Sequence, residues 1–206
     1  MGAAQPHLKY TLAEYLAFEE AAAEKHEYWQ GQIYAMAGAS PVHNQICFNL
    51  AAIIGRQIQG GSCCGYSSDQ KIWIEAVDVS TYANLTIVCG APQYHAEYST
   101  LLLNPKVIIE VLSPSTEAYD RGEKWACYQL LDSLTDNLLV SQQRVQIEHY
   151  TRKNSSQPWH YFSEIGLQSS LEIASISCLL PLNEVYSGIE LPPSSHSRPP
   201  IQIVSE

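Results

Sequence analysis

The sequence predicts a mixed α/β fold, with a central mixed β-sheet flanked by helices. Three observations predict it. Short apolar runs of strand length recur, notably at 85–89, 106–112 and 137–141. Two stretches carry helix-start chemistry, after Thr11 and after Ser40-Pro41. The two kinds of element interleave without a regular βαβ alternation, which argues against an all-parallel sheet.

The elements follow in order. Thr11-Leu12-Ala13-Glu14 is a capping box that opens a helix through about Ala23. Gln30-Gly31 is a turn signal between strand-like pieces at 27–30 and 32–36, which predicts a hairpin. Ser40 as cap and Pro41 in the first turn start a helix to about Gln59, with Ile46, Leu50, Ile53, Ile54 and Ile58 inward. His43 in its first turn reads as solvent-facing or capping. Strands are expected at 64–66 and 70–75, with Asp69 and Lys71 at the turn between them. Residues 78–82 read as a polar loop, 85–89 as a buried strand, and 93–103 as a loop carrying a solvent-facing His95. After the central stretch come a strand at 137–141, an exposed alternating strand at 145–151, and its hairpin partner at 159–163. A short strand at 171–173 and a helical turn at 181–186 complete the order.

Length and composition bound the rest. The 206 residues suit a single domain, expected over 1–190, followed by a Pro/Ser-rich tail over 191–206. The net charge of −10 argues against holding nucleic acid through a broad basic surface. It leaves open a nuclease whose metal ion and a local patch supply the positive charge. None of the six cysteines has metal-ligand spacing, and most sit among apolar residues as buried free thiols do. With no signal peptide visible, the expected setting is reducing and cytoplasmic. No run is long and apolar enough to span a membrane.

The chain is organised around residues 104–125, NPKVIIEVLSPSTEAYDRGEKW. Val107, Ile108, Ile109, Val111 and Leu112 make a buried strand, and Glu110 lies inside it. A carboxylate there is costly unless a cation or hydrogen-bond donors meet it. Ser113-Pro114-Ser115 stops the strand. Asp120-Arg121-Gly122-Glu123-Lys124 then leads into a helix whose inward stripe is Trp125, Tyr128 and Leu131, with Leu130 a further candidate for it. An acid and a lysine around a metal ion form a phosphodiester-cleaving arrangement, in which the lysine steadies or deprotonates the attacking water. The same spacing also suits a structural Glu110–Lys124 ion pair. Glu27, on the first hairpin, is a second candidate acid, with a surface carboxylate as its alternative.

Several stretches resemble one family. YLAFEEAAAEKHEYWQGQIYAMAGASPVHN, YANLTIVCG, NPKVIIEVLSPSTEAYDRGEKW and DNLLVSQQRVQIEHY are similar to the Uma-type restriction endonucleases of the PD-(D/E)XK nuclease superfamily. The likeness runs from about Tyr10 to Tyr186. It implies a restriction endonuclease-like fold and a Mg²⁺- or Mn²⁺-dependent site acting on nucleic acid, DNA more than RNA. Glu110 matches the acid of the (D/E)XK half and a metal ligand. Leu112 stands where the usual lysine would be, and the likeness places the lysine at Lys124 instead. Glu27 matches an acid often near the site. The family's Pro-Asp pair appears here as Ala83-Asn84, so the second metal ligand would be a neutral amide offering one carbonyl oxygen. Asp69 or Asp78 are the other acids in that region. Two readings follow: an endonuclease, weakened by Asn84, or a catalytically inactive nuclease-fold protein that binds nucleic acid or protein. A restriction-type nuclease also implies a homodimer, and Ile201-Gln202-Ile203-Val204 alternates like an edge strand.

Overall fold

Thr11 caps the first helix as its sequence predicts. Its hydroxyl accepts from the Glu14 N–H at 3.2 Å, and the Glu14 carboxylate accepts from the Thr11 N–H at 2.7 Å. The computed structural model describes residues 9–191, and this helix, α1, spans Leu12–Ala21. The hairpin follows as β1 (His26–Trp29) and β2 (Gln32–Ala35). Both turn residues are left-handed, Gln30 at φ 49° and Gly31 at φ 91°, the backbone that a two-residue hairpin turn demands. A side chain at Gly31 would also meet Lys9 Cβ at 2.8 Å. The second helix, α2, is Pro41–Ile58, capped by the Ser40 hydroxyl on the His43 N–H.

Two larger sheets result. The first has order β2-β1-β5-β4-β7 and uses β4 (Lys71–Ile74), β5 (Val79–Tyr82) and β7 (Leu101–Leu102). The second has order β11-β10-β9-β8-β6-β3. Its strands are β3 (Cys63–Ser67), β6 (Leu85–Cys89), β8 (Val107–Leu112), β9 (Asp136–Ser141), β10 (Gln146–Thr151) and β11 (His160–Ile165). This is the mixed sheet the sequence predicts: β8 and β9 run parallel and the other pairs antiparallel. A short ribbon of β12 (Ser170–Ile173) and β13 (Cys178–Pro181), then α5 (Leu182–Val185), ends the described chain.

Strand β8 is buried on both faces, which explains its nearly continuous apolar run. Val107, Ile109 and Val111 pack with Ile46, Leu50, Ile53 and Ile54 of α2. Ile108 joins the opposite core, with Trp125, Tyr128 and Leu131. Trp125 and Tyr128 belong to a segment made of α3 (Glu117–Tyr119), a π-helical turn (Asp120–Lys124) and α4 (Trp125–Tyr128), and Leu131 follows it. Ile72, Ile74 and Val79 of the first sheet enter that same core, so this segment is wedged between the two sheets.

The structure corrects several sequence expectations. Residues 79–82 are not a polar loop but β5, a buried central strand in which Ser80 and Thr81 lie inside. The 93–103 loop contributes β7, and 178–181 forms β13. Strand β10 is mostly buried rather than exposed, because β12, β13 and α4 cover its flanks. Leu130 faces solvent. Cys63 and Cys89 are not free thiols: they sit directly opposite one another on β3 and β6 and are joined by a disulfide. No helix among the described residues is long and apolar enough to cross a membrane. Nearly all of the predicted tail, with Ile201–Val204, lies outside the described residues.

Candidate active site

Alternation along β8 points Glu110 away from α2, into the wedge between the sheets, where it is 3 % exposed. Its Oε1 accepts from the Tyr128 hydroxyl at 2.8 Å and lies 3.0 Å from Lys124 Nζ. Lys124, 4 % exposed, donates to the Tyr82 carbonyl at 2.9 Å. It also stands 3.5 Å from Glu27 Oε1 and 3.6 Å from Asp120 Oδ1. Glu27 reaches in from β1 and is held by the Thr81 hydroxyl and by the Tyr119 hydroxyl at 2.8 Å. Three buried carboxylates from two sheets and a helical turn thus share one ammonium.

That ratio decides the electrostatics. Burial raises the Glu110 carboxyl to about 7, with Lys124 pulling it down and Asp120 pushing it up. Asp120 is likewise raised by burial, against the pull of Lys124. Burial works against the Lys124 charge, but Glu110, Glu27 and Asp120 more than offset it and hold the ammonium above its ordinary range. Lys124 therefore stays charged, and the excess negative charge is relieved by a proton on a carboxylate or by a further cation.

Asn84 lies between β5 and β6. Leu85 pairs with Ile109, so one step back Asn84 stands across from Glu110. Its Oδ1 accepts from the Val111 N–H at 2.7 Å. The sequence placed His43 in solvent or at the cap. It is instead buried, with its ring facing Asn84 and the Val111 backbone and its Nδ1 3.7 Å from Cys47 Sγ. Burial lowers its basicity, so the ring is neutral near pH 7. Asp69 and Asp78 lie away from the cluster. Asp69 pairs with Lys25 at 2.6 Å, and Asp78 accepts from the Tyr28 hydroxyl.

The donor set suits a hard divalent ion in part. Glu110 Oε2 accepts no hydrogen bond from the described residues, and Asn84 Oδ1 keeps one lone pair. Both are oxygen donors, and Mg²⁺ commonly keeps several waters while taking one or two protein oxygens. No three of His, Cys, Asp and Glu among the described residues are grouped to cage an ion by themselves.

The sequence profile described as "Putative restriction endonuclease" (Uma2) matches residues 12–178. The chain belongs to the Uma2 family. Two relatives of this Uma2 chain come from Synechocystis sp. (strain ATCC 27184 / PCC 6803 / Kazusa). The uncharacterized protein slr1290 is 37 % identical over 186 residues, covering 89 % of this chain and 95 % of its own length. The uncharacterized protein sll1609 is 32 % identical over 164 residues, covering 80 % and 92 %. The fold is similar to the crystal structure of a putative nuclease of DUF820 from Anabaena variabilis ATCC 29413. That likeness has a TM-score of 0.68 at 16 % identity, over 86 % of this chain and 97 % of that one. The restriction endonuclease-like fold is thereby established for this Uma2 chain.

Sequence reasoning named Glu27, Asn84, Glu110 and Lys124. The structure joins Glu27, Glu110 and Lys124 directly, while Asn84 stands across from Glu110 at the start of the neighbouring strand and accepts from the Val111 N–H. Sequence reasoning missed Asp120 and His43. Asp120 had a usable signal, its i,i+4 spacing from Lys124, which puts both side chains on one helical face. His43 had none, since only the packing of α2 on the sheet aims it at Asn84.

Proposed function

We propose that the chain is a metal-dependent endonuclease hydrolysing phosphodiester bonds in nucleic acid, DNA before RNA, with Mg²⁺ or Mn²⁺. The observation that carries this is the convergence of Glu27, Glu110 and Asp120 on the single Lys124 ammonium in a Uma2 chain. Glu110 Oε2 and Asn84 Oδ1 would hold the ion, which when bound supplies Lewis-acid stabilisation of charge on the phosphate. Lys124, fixed by Tyr82 O and held charged, serves as a stationary cation beside that phosphate rather than as a base. Tyr128 and Tyr119 orient Glu110 and Glu27 through their hydroxyls.

One observation favours the second reading, a catalytically inactive nuclease-fold protein that binds nucleic acid or protein. Asn84 is neutral, and its oxygen is already used by Val111 N–H. Plasmid nicking with Mg²⁺, with Mn²⁺ and with a chelator separates the two. The enzyme reading expects ion-dependent nicking that Glu110→Gln abolishes. Its absence with both ions, together with no heat of ion binding by calorimetry, favours the scaffold.

The same reading includes a homodimer, since two sites serve two strands. Sedimentation should then give a mass well above the chain's 22.9 kDa. It also places the protein in the cytoplasm, where the Cys63–Cys89 bridge would be reduced.

A further inference from the structure

A chain of net charge −10 repels a polyanion that comes within about a Debye length, about 8 Å at physiological salt. The endonuclease reading therefore needs attraction that does not depend on net charge. Base stacking on aromatic rings provides it, at roughly five- to a hundredfold in affinity per base.

An aromatic run begins at the site and leads away from it. Trp125 follows Lys124 directly. Its ring lies 4.7 Å from Tyr150 and 4.8 Å, edge-on, from Trp159. Tyr150 in turn lies 5.2 Å from Tyr161. Strand register fixes the face. Glu110 pairs with Leu139 and Leu139 with Glu148, while Ile108 pairs with Asn137, Asn137 with Tyr150, and Tyr150 with Tyr161. Tyr150 and Tyr161 thus share the sheet face of Glu110. Tyr161 lies three strand spacings from β8, roughly 14 Å, a few nucleotides from the acids.

The run is solvent-accessible at its far end, where Tyr161 is 52 % exposed and Trp159 half-buried. It is also fixed. The Arg152 guanidinium lies 4.3 Å over the Trp159 ring, with its N–H groups donating to the Leu134 and Leu131 carbonyls. Between the site and the run, Arg121 bridges Glu117 and Glu148. Its charge is consumed there, so the path offers flat aromatic surface rather than free cations.

We propose that the Trp159–Tyr161–Tyr150 face is a stacking platform for unpaired bases, which makes single-stranded or locally opened nucleic acid the preferred ligand. The inference rests on the nuclease reading for the polarity of the path, from platform to acids. Paired bases present only their edges to such a surface, so a duplex gains less from it than a single strand.

The test is a fluorescence titration of the full chain, with chelator present, using an oligothymidylate and a duplex of equal length. The wild type should bind the single strand more tightly than the duplex. Tyr161→Ala should weaken single-strand binding by roughly five- to a hundredfold, and Tyr161→Phe should restore it. Equal single-strand affinity in wild type and Tyr161→Ala overturns the inference, whether or not the protein cleaves. A loss of sedimenting mass in Tyr161→Ala also overturns it, showing the face to be a contact between copies. Ring-dependent binding of the strand without ion-dependent cleavage sustains the platform and removes the nuclease reading instead.

Discussion

Lys124 Nζ lies 3.0 Å from Glu110 Oε1, joining a π-helical turn to the middle of a buried strand. The contact is one of three that this ammonium makes with carboxylates, and the imbalance has direct consequences for stability.

Removing the cation leaves buried acids uncompensated. Lys124→Met should destabilise the fold at pH 8 by about 3–5 kcal/mol, the usual cost of breaking a buried pair from one side. Glu110→Gln removes one of the excess negative charges and leaves Lys124 with Glu27 and Asp120. It should be neutral or stabilising at the same pH. Urea unfolding of both variants checks the order. Equal stability of Lys124→Met and wild type would show that the acids are hydrated rather than buried.

The Glu110 carboxyl predicts a pH window. Its folded-state value is raised to about 7 from the model-peptide 4.5. The unfolded chain releases this proton first, so the folded state binds more protons between about pH 4.5 and 7. Stability is fully present below that window and is lost as pH rises through it, by up to about 3 kcal/mol. Glu110→Gln should flatten this part of the profile. A divalent ion that takes the proton's place should stabilise the wild type progressively more as pH rises from about 5.5 to 8. Thermal melts across pH, with and without Mg²⁺, read both effects.

Part of this was legible in the chain. Local chemistry announced α1, the β1–β2 hairpin and α2, and an acid inside the apolar run of β8 required a partner whatever the fold. Lys124 was the obvious cation, and it is the one found. What was not legible depends on tertiary context. Ser80 and Thr81 read as loop residues because their polarity is local information, while their burial comes from β1 and β4 on either side. Glu27 read as a candidate acid with a surface carboxylate as its alternative, because a hairpin of four-residue strands does not reveal which face another sheet will cover. His43 sits in a first turn that normally faces water, and only the approach of α2 to the end of β8 buries it. The pairing of Cys63 with Cys89 required the register of β3 on β6.

The disulfide carries its own prediction. In the chain-entropy account, closing a loop of 26 residues contributes roughly 3–4 kcal/mol. Protein isolated without reductant should show four reactive thiols after denaturation, those of Cys47, Cys64, Cys127 and Cys178, and six after reduction. Six before reduction, in protein trapped rapidly from cells, supports the cytoplasmic placement.

Under the proposed endonuclease reading, Asn84 is where activity is decided. Its Oδ1 accepts from Val111 N–H, and it stands across from Glu110 with the neutral His43 ring alongside. Asn84→Asp keeps the shape and the acceptor oxygen while adding a charge. Without an ion, the new carboxylate repels Glu110 and raises its proton affinity further, lowering stability at pH 8 by about 1 kcal/mol. A carboxylate there also favours protonation of His43, which limits the loss. With Mg²⁺ or Mn²⁺ the added charge should tighten binding at least tenfold, and linkage returns about 1.4 kcal/mol at saturation. At this chain length that corresponds to about 2–4 °C per kcal/mol in melting temperature. The ion-induced rise should therefore be several degrees larger in Asn84→Asp than in wild type, and ion-dependent nicking should increase with it. If the ion-induced rise is the same in both proteins and neither cuts DNA, position 84 is not the missing ligand. The buried cluster around Lys124 is then a structural device in a binding protein.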